Sequence, residues 1–134
     1  MIEIIRQGIY TSIQDKGRLN LQDYGVPFSG ALDQQAFGFA NKLLNNSENA
    51  AALECSFKGP KILFHMKTYI TLTGADMDAK INENYITNYI PIQVNKGDIL
   101  DMKTSKNGCR TYIGIEGGFK SEKILGSRSQ FIGI

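Results

Sequence analysis

The chain has 134 residues, 15 Lys and Arg against 13 Asp and Glu, and a formal net charge of +2 at pH 7. That length fits one domain burying roughly two-thirds of the surface its unfolded chain exposes, and the basic residues are spread along it without the stripe that marks a nucleic-acid footprint. No apolar run approaches the roughly 18 residues of a membrane span, and Glu3 and Arg6 interrupt the stretch where a signal peptide needs an apolar region, so a cytoplasmic protein without a membrane partner is expected.

In chain order, "IEII" reads as a short strand and "GIYTSI" as a second one that enters a long polar loop. From Asp33 the spacing becomes helical. Ala36, Phe37, Ala40, Leu43 and Leu44 recur at three and four residues, with Asp33 as N-cap and "LLNNSEN" as the stop. Strands follow in "AALECSF", "KILFH" and "YITLTG", the first two separated by Gly59-Pro60. "DAKINENYITNYIPIQV" predicts a hairpin turning near Asn82 to Asn84, with Pro91 at an edge or bulge. "VNKGDIL" turns at Lys96-Gly97, and "DMKTSKNGCRTYIGI" predicts a hairpin about Asn107-Gly108. The last segment, "IEGGFKSEKILGSRSQFIGI", sets up a glycine turn, a short helix-like piece and a polar loop, which points to a continuation. The 14 glycines, about a tenth of the chain, favour a turn-rich, mainly β protein. One helix amid about eight strands predicts a closed or nearly closed β-barrel with the helix plugging one end.

The polar loop and the helix hold the residues with chemical potential. Gln14, Asp15 and Arg18 share a glycine-bearing loop, and Arg18 either pairs with Asp15 to close it or presents its rigid fork to a carboxylate or carbonyl oxygen. Ser29 and Gly30 precede the helix, where backbone amides can approach an anion, or form a plain turn before the N-cap. Asn41 lies on the helix two turns beyond Asp33, near the apolar stripe, where its amide must find partners in protein or ligand. Glu54 sits within an apolar strand, opposite Leu53 and Cys55 by alternation. It is either solvated or faces a pocket as an acid or base whose pKa burial would raise.

Other signals carry less. Cys55 and Cys109 are far apart and read as reduced, mostly buried thiols. With His65 they are too few for a zinc site, and His65 itself reads as a packing or edge residue. "HMKT" matches a biotin attachment site at two residues only, and Asp76 and Asp78 in "GADMDAK" read as a solvated turn.

Taken together, "TSIQDKGRLNLQDYGVPFSGALDQQAFGFANKLLNN", "ALE" at 52–54, "LTGAD", "NKGDIL", "TYIGIEGG" and "LGSRS" resemble, in order and over the whole chain, the carboxyltransferase-like allophanate hydrolase subunit 2 family. That family includes the C subunit of 5-oxoprolinase, the Kip inhibitor antagonist and the carboxyltransferase part of urea carboxylase. The resemblance implies a cyclophilin-like β-barrel, with this chain as the N-terminal half of a two-barrel domain. Where the family usually continues "GSRS" with Thr, Gln130 stands here. The implied activity is that of one component of an ATP-dependent 5-oxoprolinase, opening 5-oxoproline to glutamate with the A and B subunits of that enzyme, the latter Kip inhibitor-like, and using ATP through the complex. Arg18 and Gln14, with Ser29, Gly30 and Arg128, would bind substrate. Asp33 and Asn41 would orient the amide nitrogen and Glu54 would transfer a proton. The alternatives are the carboxyltransferase component of a biotin-dependent urea carboxylase, or a non-catalytic antagonist of a Kip-type kinase inhibitor.

Overall fold

The computed structural model describes residues 1–15 and 33–120, and the backbone of 130–132. Among these residues one helix and eleven strands form. The strands are β1 (Ile2–Arg6), β2 (Tyr10–Gln14), β3 (Ala52–Ser56), β4 (Lys61–Phe64), β5 (Thr68–Gly74), β6 (Lys80–Ile81), β7 (Asn84–Tyr85), β8 (Ile92–Val94), β9 (Ile99–Asp101), β10 (Arg110–Ile115) and β11 (Gln130–Ile132), and the helix is α1 (Gln34–Leu43).

They build two antiparallel sheets, one ordered β11-β1-β4-β9-β6-β7 and the other β2-β3-β10-β5-β8. The main core lies between them. Ile2, Ile4, Ile62, Phe64 and Leu100 from the first sheet meet Leu53, Cys55, Ile70, Leu72, Val94, Ile113 and Ile115 from the second. Alternation delivers these side chains to one face of each strand. The fold is mainly β and consistent with a cyclophilin-like architecture, but the described strands form two sheets rather than a hydrogen-bonded closed barrel.

The helix does not plug an end. It covers the outer face of the five-stranded sheet, where Ala36, Phe37 and Ala40 pack on Ala52 and Tyr112 in a second, smaller core. Asp33 caps α1 as expected, its Oδ1 accepting the Ala36 amide at 3.0 Å. The helix approaches closely at Gly114, where a Cβ would stand 2.9 Å from the Ala40 carbonyl oxygen. The Thr71 and Thr73 hydroxyls donate to the Ala40 and Ala36 carbonyls at 3.0 and 2.6 Å, tying helix to sheet.

The hairpin near residue 82 forms between β6 and β7, with Asn82 and Glu83 at φ 49° and 72°, the left-handed pair that a two-residue turn requires. Pro91 directly precedes β8, an edge strand. The hairpin expected about Asn107-Gly108 does not form. β9 and β10 belong to different sheets, because Leu100 and Ile113 approach the core from opposite sides. Where a polar loop was expected to end the chain, Gln130–Ile132 pair with β1.

Candidate functional site

The second sheet is covered on both faces, by the main core and by α1, and this explains the burial of all five residues of β3. Glu54 is therefore not solvated. It is 3% exposed and lies on the helix side of the sheet. Register places Ser12, Glu54, Tyr112 and Thr73 directly opposite one another across β2, β3, β10 and β5. A buried carboxylate needs donors, and Tyr112, itself 0% exposed, donates its hydroxyl proton to Glu54 Oε2 at 2.5 Å.

The same hydroxyl oxygen accepts the backbone amide of Asp33 at 2.8 Å. Tyr112 thus links a carboxylate in the centre of the sheet to the N-cap of the helix. Burial pushes the Tyr112 pKa well above the ordinary tyrosine range, and the bond to Glu54 pushes it further. Phe37 stacks edge-on against the Tyr112 ring at 6.2 Å between centroids, which helps hold the ring in place.

Asp33 opens onto a cleft of about 540 Å³, lined also by Gly74, Tyr89, Gly108, Cys109 and Arg110. Gly74, at φ +92°, has no room for a Cβ, which would lie 2.4 Å from the Arg110 carbonyl oxygen. This close packing of backbone forms one wall. The Tyr89 hydroxyl accepts the Gly74 amide at 2.9 Å and so faces the same wall.

The expected site residues do not all come together. Asp33 and Glu54 are brought together through Tyr112. Gln14 lies two residues beyond Ser12 on the same strand, and its Nε2 donates to Ser12 Oγ at 2.9 Å. Asn41 is elsewhere. It lies eight positions beyond Asp33, about 12 Å along the helix axis, and it is 1% exposed. Its Nδ2 donates to the Ala50 carbonyl at 2.8 Å and its Oδ1 accepts from Asn46 Nδ2 at 3.3 Å, so protein groups satisfy the buried amide. It lines a separate cleft of about 440 Å³ on the outer side of α1, with Gly38, Phe39 and Asn46. Arg18, Ser29, Gly30 and Arg128 lie outside the described residues.

Two participants escaped the sequence reading. Tyr112 alternates with Thr111 and Ile113 in "TYIGI", which puts it on the helix side once that face is known to be covered. Arg110 starts the same strand, and nothing in its neighbours marks it out.

Both thiols are free, as expected, but only one is buried. Cys55 is buried and Cys109 exposed, because Cys109 lies in the turn before β10 rather than within a strand. His65 lies just beyond the end of β4, an interior strand rather than an edge, its Nε2 3.3 Å from Glu3 Oε1. Asp76 and Asp78 shape a turn. Asp76 Oδ1 accepts the Asp78 amide at 2.9 Å, and Asp78 pairs with Lys106 at 2.9 Å. Among the described residues no group of three or more His, Cys, Asp or Glu could hold a metal ion, and no helix is long and apolar enough to cross a membrane.

Comparison with known proteins agrees with this architecture. The chain is 42% identical to urea amidolyase of Lachancea kluyveri over 130 residues, which are 96% of this chain and 7% of that protein. It is 34% identical to the 5-oxoprolinase C subunit of Escherichia coli over 129 residues, 96% of this chain and 42% of that one. The crystal structure of Kluyveromyces lactis urea carboxylase superposes with a TM-score of 0.88 at 39% identity, covering 96% of this chain and 12% of that structure. The chain therefore spans less than half the length of these relatives. Since the family model described as "Carboxyltransferase domain, subdomain A and B" also matches residues 24–133, the chain belongs to the carboxyltransferase-domain family.

Proposed function

We propose that the chain serves an ATP-dependent 5-oxoprolinase, acting with the A and B subunits of that enzyme to open the lactam of 5-oxoproline to glutamate. The observation that carries the chemistry is the Glu54–Tyr112–Asp33 linkage beside an open cleft. The substrate rests on likeness to the 5-oxoprolinase C subunit along 96% of the chain. In ring opening the amide C–N bond breaks, a water oxygen ends on the carbonyl carbon and the leaving nitrogen gains a proton. A carboxylate placed at the amide N–H can hold that group and assist the proton transfers at nitrogen.

Asp33 fits that role, because among the described residues only one of its carboxylate oxygens is engaged, by the helix cap. Glu54 reaches this cleft through Tyr112, whose hydroxyl holds the backbone of Asp33, and stays the second proposed proton-transfer group. Gln14 and, from the undescribed segments, Arg18, Ser29, Gly30 and Arg128 remain the proposed substrate-binding groups. Asn41 holds the far end of the helix.

The described residues do not fit ATP. The helix N-terminus is capped by a carboxylate, and the cleft offers a single cation, Arg110, for a triphosphate. ATP is accordingly assigned to the partner subunits. The soluble, cytoplasmic setting belongs to the same reading.

A second reading is supported by the higher identity, 42%, with a urea amidolyase. There the chain would be the carboxyltransferase part of a biotin-dependent urea carboxylase, with biotin carried by another domain or chain. A Kip-type antagonist without turnover is supported only by the family resemblance. Glutamate release from labelled 5-oxoproline and ATP, by the two partner subunits with and without this chain, separates them. Glutamate appearing only when the chain is present supports the oxoprolinase reading. Biotin-dependent carboxylation of urea instead would replace it.

A further inference from the structure

We propose that Arg110 is the carboxylate receptor of the cleft, so that the cleft takes a small amide bearing one carboxylate. The proposal rests on the oxoprolinase reading for the identity of that ligand but not for the presence of an anion site. Arg110 stands at the first position of β10, its backbone fixed by pairing with Ser56 and by the Ala75 amide, which donates to its carbonyl at 2.8 Å. It lines the cleft with Asp33. Its Nε is buried and has no hydrogen-bond partner among the described residues, and no ion pair to it forms among them.

A buried donor left unpaired is costly, and in a native protein it calls for an explanation. The contrast with Arg6 is informative. Arg6 also has an unpartnered Nε, but its Nη2 reaches Asp101 and the Met102 carbonyl, both at 2.7 Å. Arg110 has no such anchor among the described residues. A guanidinium presents a rigid fork that matches both oxygens of a carboxylate; the buried Nε is closed to the cleft, so the two Nη groups are the side of the fork that a ligand would meet, and Nε–H reports on them through the shared guanidinium.

The cleft's other polar groups set the rest of the ligand. Tyr89 accepts the Gly74 amide and retains its own hydroxyl proton to donate. Asp33 offers its second carboxylate oxygen, which attracts an N–H and repels a second negative charge. One carboxylate at Arg110 and one N–H at Asp33 describe 5-oxoproline, and they exclude a neutral amide as a strong ligand.

The test follows the Arg110 Nε–H resonance of the 134-residue chain by NMR, assigned by its loss in Arg110→Lys, during titration with 5-oxoproline, 2-pyrrolidinone and acetate. Expected are a saturable shift with 5-oxoproline, binding at least about tenfold tighter than 2-pyrrolidinone, as one charge-assisted hydrogen bond is worth, and a weaker shift with acetate. Arg110→Gln, checked for retained amide dispersion, should bring 5-oxoproline down to the level of 2-pyrrolidinone. An Arg110 signal unmoved by both 5-oxoproline and acetate overturns the proposal, as does undiminished binding of 5-oxoproline to Arg110→Gln. A shift with acetate that 5-oxoproline does not exceed supports the anion site and counts against the oxoprolinase reading.

Discussion

Tyr112 gives its hydroxyl proton to Glu54 at 2.5 Å while its oxygen receives the Asp33 amide at 2.8 Å. One phenol therefore bonds a buried carboxylate and holds the entry to the only helix among the described residues. Tyr112→Phe keeps the ring and its contact with Phe37 but removes the hydroxyl that both groups bond to. Its expected cost is about 1–3 kcal/mol, read as a lower urea midpoint at unchanged slope. The Glu54→Gln, Tyr112→Phe double variant should lose less than the sum of the single changes. An unshifted midpoint for Tyr112→Phe would show that the bond contributes nothing.

The seat of the helix on the sheet depends on the missing side chain of Gly114. A Cβ there would meet Thr71 Oγ1 at 2.8 Å and the Ala40 carbonyl oxygen at 2.9 Å. Gly114→Ala must push α1 outward, with an expected loss of about 1–3 kcal/mol for overpacking. Thermal unfolding checks this. A melting temperature equal to that of the parent chain would mean that helix and sheet separate without cost.

Acid stability is tied to Asp101, between Arg6 at 2.7 Å and Lys103 at 3.1 Å. Partial burial raises its pKa, but the hydrogen bonds from Arg6 and Lys103 outweigh that and hold it below the usual carboxylate value. A lowered folded-state pKa stabilises the fold fully above the unfolded pKa, about 4, and that contribution fades as pH falls through the folded value. Unfolding free energy measured from pH about 5 to about 2, the window in which such a carboxylate titrates, should thus decline less steeply in Asp101→Asn. Identical slopes would contradict the assignment.

The two thiols should react in sequence. Cys109 is exposed, whereas Cys55 is fully buried, and desolvation pushes its pKa far above the ordinary thiol range. A thiol reagent at pH about 8, near the pKa of a free thiol, should modify one cysteine in the folded chain and the second only in denaturant. Rapid loss of both in the native state would show that the inter-sheet core opens readily.

Much of this fold was legible in local sequence. The apolar spacing after Asp33 marked the helix and its cap, and the runs of β-branched residues marked the major strands. Long-range relations were not legible. Leu100 and Ile113 are both apolar strand residues, and nothing local says that they enter the core from opposite sheets, so the Asn107-Gly108 turn resembled a hairpin. Glu54 was ambiguous for the same reason: alternation fixes its face of the strand, but only the docking of α1 decides that this face is dry. Asn41 was correctly placed near the apolar stripe, yet its partners, Ala50 and Asn46, come from the turn that follows the helix. Arg110 is informative only by what fails to surround it.

The central claim, that Asp33 acts on the substrate amide, is most directly tested by glutamate release from the reconstituted complex carrying Asp33→Asn. Asn caps a helix about as well as Asp, so fold stability should change little while the carboxylate is removed. The account predicts a fall in kcat of about 100-fold or more, within the usual range for lost acid–base assistance, at a nearly unchanged urea midpoint. A kcat equal to that of the parent complex would contradict it and leave Asp33 as a helix cap alone.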